Sequence, residues 1–166
     1  MRAGIALGSN VGDRLANLRA ARQRIEVITA IEPPLLASAI YETEPVDCEP
    51  GAGRFLNAVF EIGFSGDAMC LLAALRAIER ELGRPSVHPR NRSRTIDLDL
   101  LYFGDLDLDT PELQLPHPRM HERAFVLQPL VDIRPELVLP KRRESVAVLL
   151  AKLGDSSQLV RIEAEW

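Results

Sequence analysis

The sequence predicts an α+β fold: a ferredoxin-like βαββαβ core with an antiparallel sheet and helices on one face, followed by a C-terminal hairpin and further helices. Three observations carry this expectation. Residues 55–62 alternate, with Leu56, Ala58, Phe60 and Ile62 on one side and Phe55, Asn57, Val59 and Glu61 on the other, the period of a strand. Two longer segments, one from Asp13 to about Thr29 and one from about Ser65 to Leu82, repeat apolar residues at helical spacing. With the short apolar runs around them, the order becomes strand, helix, strand, strand, helix, strand, the split βαβ arrangement. Helices then cover one sheet face, and the other face and the loops are left for a site.

Each element has a local cause. Ala3 to Leu7 is a strand stopped by the turn-forming Gly8-Ser9-Asn10. Asp13 caps the first helix, which turns Leu15, Leu18, Ile25 and Ile28 to one face. Pro33-Pro34 punctuates the chain before a second strand from Leu35 to Tyr41, and a loop rich in Pro and Gly leads to the alternating strand at Phe55. Ser65 or Asp67 caps the second helix, whose inner face carries Met69, Leu72, Leu75, Ile78 and Leu82, and Gly83 stops it. Thr95 to Phe103 is the fourth strand. Beyond it lie a hairpin strand near Leu106 and Leu108, short helices over about 122–130 and 145–153, and a last strand over 159–162.

Bulk composition narrows the function. The 166 residues, 46% hydrophobic and 27% charged, suit a single domain over residues 1–166, with a core of about 3–140 and a C-terminal extension, 141–166, packed on it. No secretory signal or membrane span is read, so the cytoplasm is the expected compartment; a monomer is expected as well, and Cys48 and Cys70 suggest no disulfide framework. A net charge of −4 argues against a nucleic-acid partner. Yet Arg84, Arg90, Arg92 and Arg94 crowd one loop that holds no acid, which suits a small polyanion.

The chemistry concentrates in Arg94-Thr95-Ile96-Asp97-Leu98-Asp99-Leu100-Leu101. On a strand, Asp97 and Asp99 project from one side about 6–7 Å apart, with Ile96, Leu98 and Leu100 on the other, under the helices. Paired hard oxygen ligands suit magnesium, which in turn holds polyphosphate oxygens. Arginines beside them match phosphoryl-type transfer, where guanidinium groups neutralise developing charge. Asp105, Asp107 and Asp109 also alternate, but Thr110 and Pro116 stand where a calcium loop needs Gly and Glu, so they read as solvated charges. His117 and His121 are four apart but lack a third zinc ligand. Lys141 and Lys152 are the only lysines and no GxxxxGK[ST] occurs, which removes P-loop and protein kinases as templates.

Taken in order, Leu7-Gly8-Ser9-Asn10, Tyr41-Glu42-Thr43-Glu44-Pro45, Phe55-Leu56-Asn57-Ala58-Val59, Glu79 with Gly83-Arg84, the Arg94 to Leu101 block, and Pro116-His117-Pro118 with Arg123-Ala124-Phe125-Val126-Leu127 resemble the 6-hydroxymethyl-7,8-dihydropterin pyrophosphokinase family, from about residue 3 to Pro140. The resemblance implies transfer of pyrophosphate from ATP to the pterin's hydroxymethyl oxygen, with release of AMP, in folate biosynthesis. It implies two magnesium ions on Asp97 and Asp99, and Arg84 and Arg94 as catalytic arginines. It places Thr43, Val46, Phe55, Asn57 and Phe125 at the pterin, and Glu79, Arg84, Arg90, Arg94, Ile96, His117 and Arg123 at ATP. The chain departs from the family pattern at Asn91-Arg92-Ser93 and Pro85-Ser86, and the 84–94 loop is expected to close over the triphosphate. Two rivals stand beside this reading: a metal-dependent glycosyltransferase using the same aspartate pair, and a non-catalytic nucleotide-binding module.

Overall fold

The computed structural model describes residues 1–46, 48–83, 93–154, 159–162 and 165–166. In chain order the elements are β1 (Arg2–Ser9), α1 (Arg14–Glu26), β2 (Ile31–Ala37), β3 (Ile40–Thr43), β4 (Phe55–Phe64), α2 (Ala68–Glu81), β5 (Asp97–Phe103), β6 (Leu108–Asp109) and β7 (Gln114–Leu115). A 3-10 turn (Met120–Glu122), α3 (Ala124–Ile133), α4 (Val146–Leu153) and β8 (Val160–Ile162) follow. The main sheet is antiparallel with strand order β5-β1-β4-β3-β8, and β2 also pairs with β4. Its first four strands are in the ferredoxin-like order expected from the sequence. The segment after residue 141 adds α4 and supplies β8, which pairs with β3.

Strand alternation sorts the side chains into two cores. Ala3, Ile5 and Leu7 of β1, Leu56, Ala58, Phe60 and Ile62 of β4, and Leu98 and Leu100 of β5 pack against α1 and α2. On the opposite face Val59, Leu101, Tyr102, Met120, Leu127 and Leu130 form a second core with α3 and α4. The C-terminal helices therefore cover part of the face that α1 and α2 leave free, and the site occupies the remainder. Asp13 accepts from the Ala16 N–H and Asp67 from the Cys70 N–H, satisfying donors that helix starts leave unpaired.

Two local expectations change. Met69 is 45% exposed, because the buried stripe of α2 runs through Ala68, Leu71, Leu72, Leu75, Ile78 and Glu79. The second strand begins at Ile31, ahead of the prolines, and breaks into β2 and β3. Pro33-Pro34 falls where the register with β4 shifts between Glu32 and Leu36, so the missing N–H groups cost no ladder bond.

Glu61 is the one charged side chain among the described residues with no exposure at all. Its carboxylate meets Arg2, Arg134 at 3.1 Å and the Tyr102 hydroxyl, so its oxygens are paired inside the fold. Tyr102 in turn lies over Gly4, where a Cβ would fall 2.2 Å from the ring. Burial, followed by Glu61, pushes the Tyr102 hydroxyl above the usual phenol range.

Candidate active site

The site is a row of residues across three strands. Asp97 on β5 pairs with Gly8 on β1, which pairs with Asn57 on β4. Gly8 gives this row room, since a Cβ there would stand a tight 3.2 Å from Asn57 Oδ1. Asn57 donates to Thr43 Oγ1 at 2.8 Å, fixing its carboxamide. Between the two aspartates, Leu98 points into the helix-covered core, and its N–H donates at 2.8 Å to Glu79 Oε1 on α2. That bond satisfies the edge of β5 and holds the strand that presents both carboxylates.

Two cavities meet at Asp97 and Asp99, which line both. The larger, about 500 Å³, lies between α2 and the 110–118 segment and includes Arg76, Glu79, Arg80 and His117. The smaller lies on the other side, over Gly8, with Thr43, Val46, Phe55, Asn57, Arg94, Arg123 and Phe125 in its wall. Arg94 Nη2 is 2.8 Å from Asp97 Oδ2, and its guanidinium carbon is 5.8 Å from the centre of the Phe55 ring. The Arg123 guanidinium stands 5.5 Å from the centre of Phe125. Both cations thus stand over aromatic faces in the wall of this cavity.

Burial, with Arg123 and Arg119 nearby, lowers the His117 pKa to about 4, so its ring is neutral at physiological pH and can both donate and accept. Its Nδ1 accepts from the Arg119 N–H at 3.3 Å. Burial, then Arg119, lowers the Arg123 pKa below its ordinary value. Among the described residues no cluster of three or more His, Cys, Asp or Glu forms a closed metal cage. Two carboxylates on a strand fit a hard cation that keeps water or phosphate oxygens in its remaining positions, as magnesium does.

Most residues singled out in the sequence gather here. Thr43, Val46, Phe55, Asn57 and Phe125 share the smaller cavity, while Glu79 and His117 line the larger one. Arg94 and Arg123, expected beside the nucleotide, line the smaller cavity next to the aspartates. Ile96 is different: its side chain has no exposure and belongs to the core under the helices, so only its backbone faces the site region. Arg84 and Arg90, like the expected closure of the arginine loop, lie outside the described residues. Arg76 and Arg80 were missed; they line the cleft beside Glu79, and their i, i+4 spacing on α2 is the signal that could have found them. Asn10 was read only as part of a turn and of the Leu7-Gly8-Ser9-Asn10 block, because such a turn carries no sign of its distant partners.

A ferredoxin-like frame in which one carboxylate pair borders two adjoining clefts suits an enzyme that brings two ligands together. Residues 4–135 match the family model described as 7,8-dihydro-6-hydroxymethylpterin-pyrophosphokinase (HPPK). The chain belongs to that family. It is 46% identical over 129 residues to the 2-amino-4-hydroxy-6-hydroxymethyldihydropteridine pyrophosphokinase of Bacillus subtilis, covering 78% of this chain and 75% of that protein. The protein of the same name from Pseudomonas aeruginosa is 40% identical over 148 residues, 89% of each chain. A crystal structure of Plasmodium falciparum HPPK-DHPS with pteroate shares the fold, with a TM-score of 0.72 at 15% identity over 97% of this chain. This chain spans 46% of that longer one, and so corresponds to part of it.

Proposed function

We propose that the protein transfers the pyrophosphoryl group of ATP to the hydroxymethyl oxygen of 6-hydroxymethyl-7,8-dihydropterin and releases AMP, a step of folate biosynthesis. The observation that carries this is the sharing of Asp97 and Asp99 between the two clefts. A reacting phosphate held at that pair is within reach of a ligand on either side. The larger cleft is the nucleotide side, and the smaller is the pterin side. There Phe55 and Phe125 offer faces to a flat heterocycle, and Asn57 offers a carboxamide to its polar edge.

Asp97 and Asp99 would hold the magnesium, two ions in this reading. When bound, such ions neutralise the triphosphate and polarise the bond that breaks. The chain's own residues do the remaining work. Arg94 reaches both Asp97 and the Phe55 face and so stands where charge moves between substrates. Arg123 adds a second cation at the same wall. Neutral His117 supplies a hydrogen-bonding ring to the nucleotide side. Arg84 and Arg90 join the phosphates in this reading, on the strength of the sequence pattern. The pterin oxygen bonds to the β-phosphorus, the bond from that phosphorus to the α,β-bridging oxygen breaks with its electron pair leaving on the oxygen of AMP, and the hydroxymethyl proton passes to water.

A single domain working as a cytoplasmic monomer, without nucleic acid, completes the proposal. The net charge of −4 supports the part of it that concerns nucleic acid, and among the described residues no helix is long and apolar enough to cross a membrane. The test is incubation with ATP, magnesium and the pterin alcohol. AMP release that stops on chelation supports the reading. ADP formation would point to simple kinase chemistry, and nucleotide binding without turnover would point to a binding module.

A further inference from the structure

Asn10 follows β1 directly and is buried, with 8% exposure. Its carboxamide nitrogen donates to Gly53 O at 3.3 Å and to Ser93 Oγ at 3.1 Å, and its oxygen accepts from the Arg94 N–H at 2.7 Å. Its own backbone N–H donates to Arg94 O at 3.2 Å. Both peptide groups of Arg94 are thus tied to one residue at the end of the central strand. A second tie runs alongside, because the Ser93 N–H donates to Glu49 Oε1 at 2.9 Å. Glu49 and Gly53 belong to the 44–54 segment, and Glu44, Val46 and Cys48 of that segment line the smaller cavity. At its far end Arg94 meets Asp97 and the Phe55 face.

We infer that Asn10 is a positioning residue: its buried carboxamide clasps the pterin-side segment to the backbone of Arg94 and thereby aims the Arg94 guanidinium. The inference rests on the proposed pyrophosphoryl transfer. Asparagine is suited because the job needs an acceptor and two donors on one short planar group. An ionised aspartate only accepts, and alanine does neither. Water does not readily replace these bonds at a buried position. Displacing a reacting group by about 1 Å can slow catalysis by about a hundredfold, so a loosened Arg94 backbone reaches the chemistry without any contact between Asn10 and substrate.

The test measures AMP release by wild type, Asn10→Ala, Asn10→Asp, Arg94→Ala and the Asn10→Ala/Arg94→Ala double variant. Asn10→Ala is expected to lower kcat by roughly ten- to a hundredfold and to raise the pterin KM by about threefold or more. Asn10→Asp keeps an acceptor for the Arg94 N–H but has no donor for Gly53, so it recovers most of kcat while the pterin KM stays high. In the Arg94→Ala background, Asn10→Ala should lower kcat no further, because residues acting through one another do not add. Multiplying losses in the double variant would overturn the inference, as would Asn10→Ala kinetics within about twofold of wild type, the range left by loss of a contact that matters to neither step. If Asn10→Ala does not fold, Asn10→Asp decides, and an unchanged pterin KM there overturns the clasp. Absence of AMP from wild type would sink the proposed activity and this inference with it. An active wild type paired with unaffected variants sinks the inference alone.

Discussion

Asp97 and Leu98 are neighbours on β5 but face opposite sides of the sheet, so truncating each to alanine should harm the protein in different ways. Leu98 is 5% exposed and belongs to the core under α1 and α2. Removing its buried methyl and methylene groups should cost about 2–5 kcal/mol, with the upper end applying if the core does not collapse into the cavity. For a domain of this size that lowers Tm by roughly 4–20 °C. Asp97 has a 16% exposed side chain paired with Arg94 at 2.8 Å. A partly solvated pair of this kind contributes about 1 kcal/mol or less, so Asp97→Ala should shift Tm by no more than about 4 °C. Its effect on turnover should be far larger, a loss of at least about a hundredfold in AMP release, because the carboxylate that would hold magnesium at the transferring phosphates is lost. Thermal melts and initial rates on the same preparations measure both quantities. The reasoning fails if Asp97→Ala retains activity within about tenfold of wild type, or if it destabilises the fold as much as Leu98→Ala.

Two further outcomes follow from buried polar groups. The His117 pKa lies near 4 in the fold against an ordinary 6.5. Above pH 6.5 the ring is neutral in both states. As pH falls from 6.5 towards 4 the unfolded chain takes up a proton that the folded chain refuses, so stability falls by up to about 3 kcal/mol and levels off below. A His117→Gln variant should show a shallower loss of Tm across that window, and an unchanged slope would assign the dependence to other groups. Glu61→Ala should lower Tm by about 5–15 °C, since it leaves the Tyr102 hydroxyl buried without its acceptor and two arginines without their common partner. A shift below about 2 °C would mean that water replaces the carboxylate.

Much of this molecule was legible from periodicity and punctuation. The alternation of residues 55–62 put Phe60 and Ile62 on one side of the strand and Val59 on the other, and they do fall in different cores, though the second core was not expected. The two aspartates were placed on one side of a strand because side chains two apart share a face. Local rules misplaced Met69, at the margin of the α2 stripe, and the start of β2, where prolines on a strand with an irregular register were read as a break.

What the sequence determined by itself was the identity of the elements, the faces their residues occupy and the acid pair beside arginine, all of them properties of spans shorter than about twenty residues. The tertiary structure alone decided who lies beside whom. The row Asp97, Gly8 and Asn57 exists because β5, β1 and β4 pair in one register, and nothing local to any strand specifies its lateral neighbour. Asn10, Gly53 and Ser93 meet only because chain segments more than forty residues apart are brought together by the burial of both cores. Periodicity says which way a side chain points, whereas its partners are chosen by the free energy of packing the whole sheet at once.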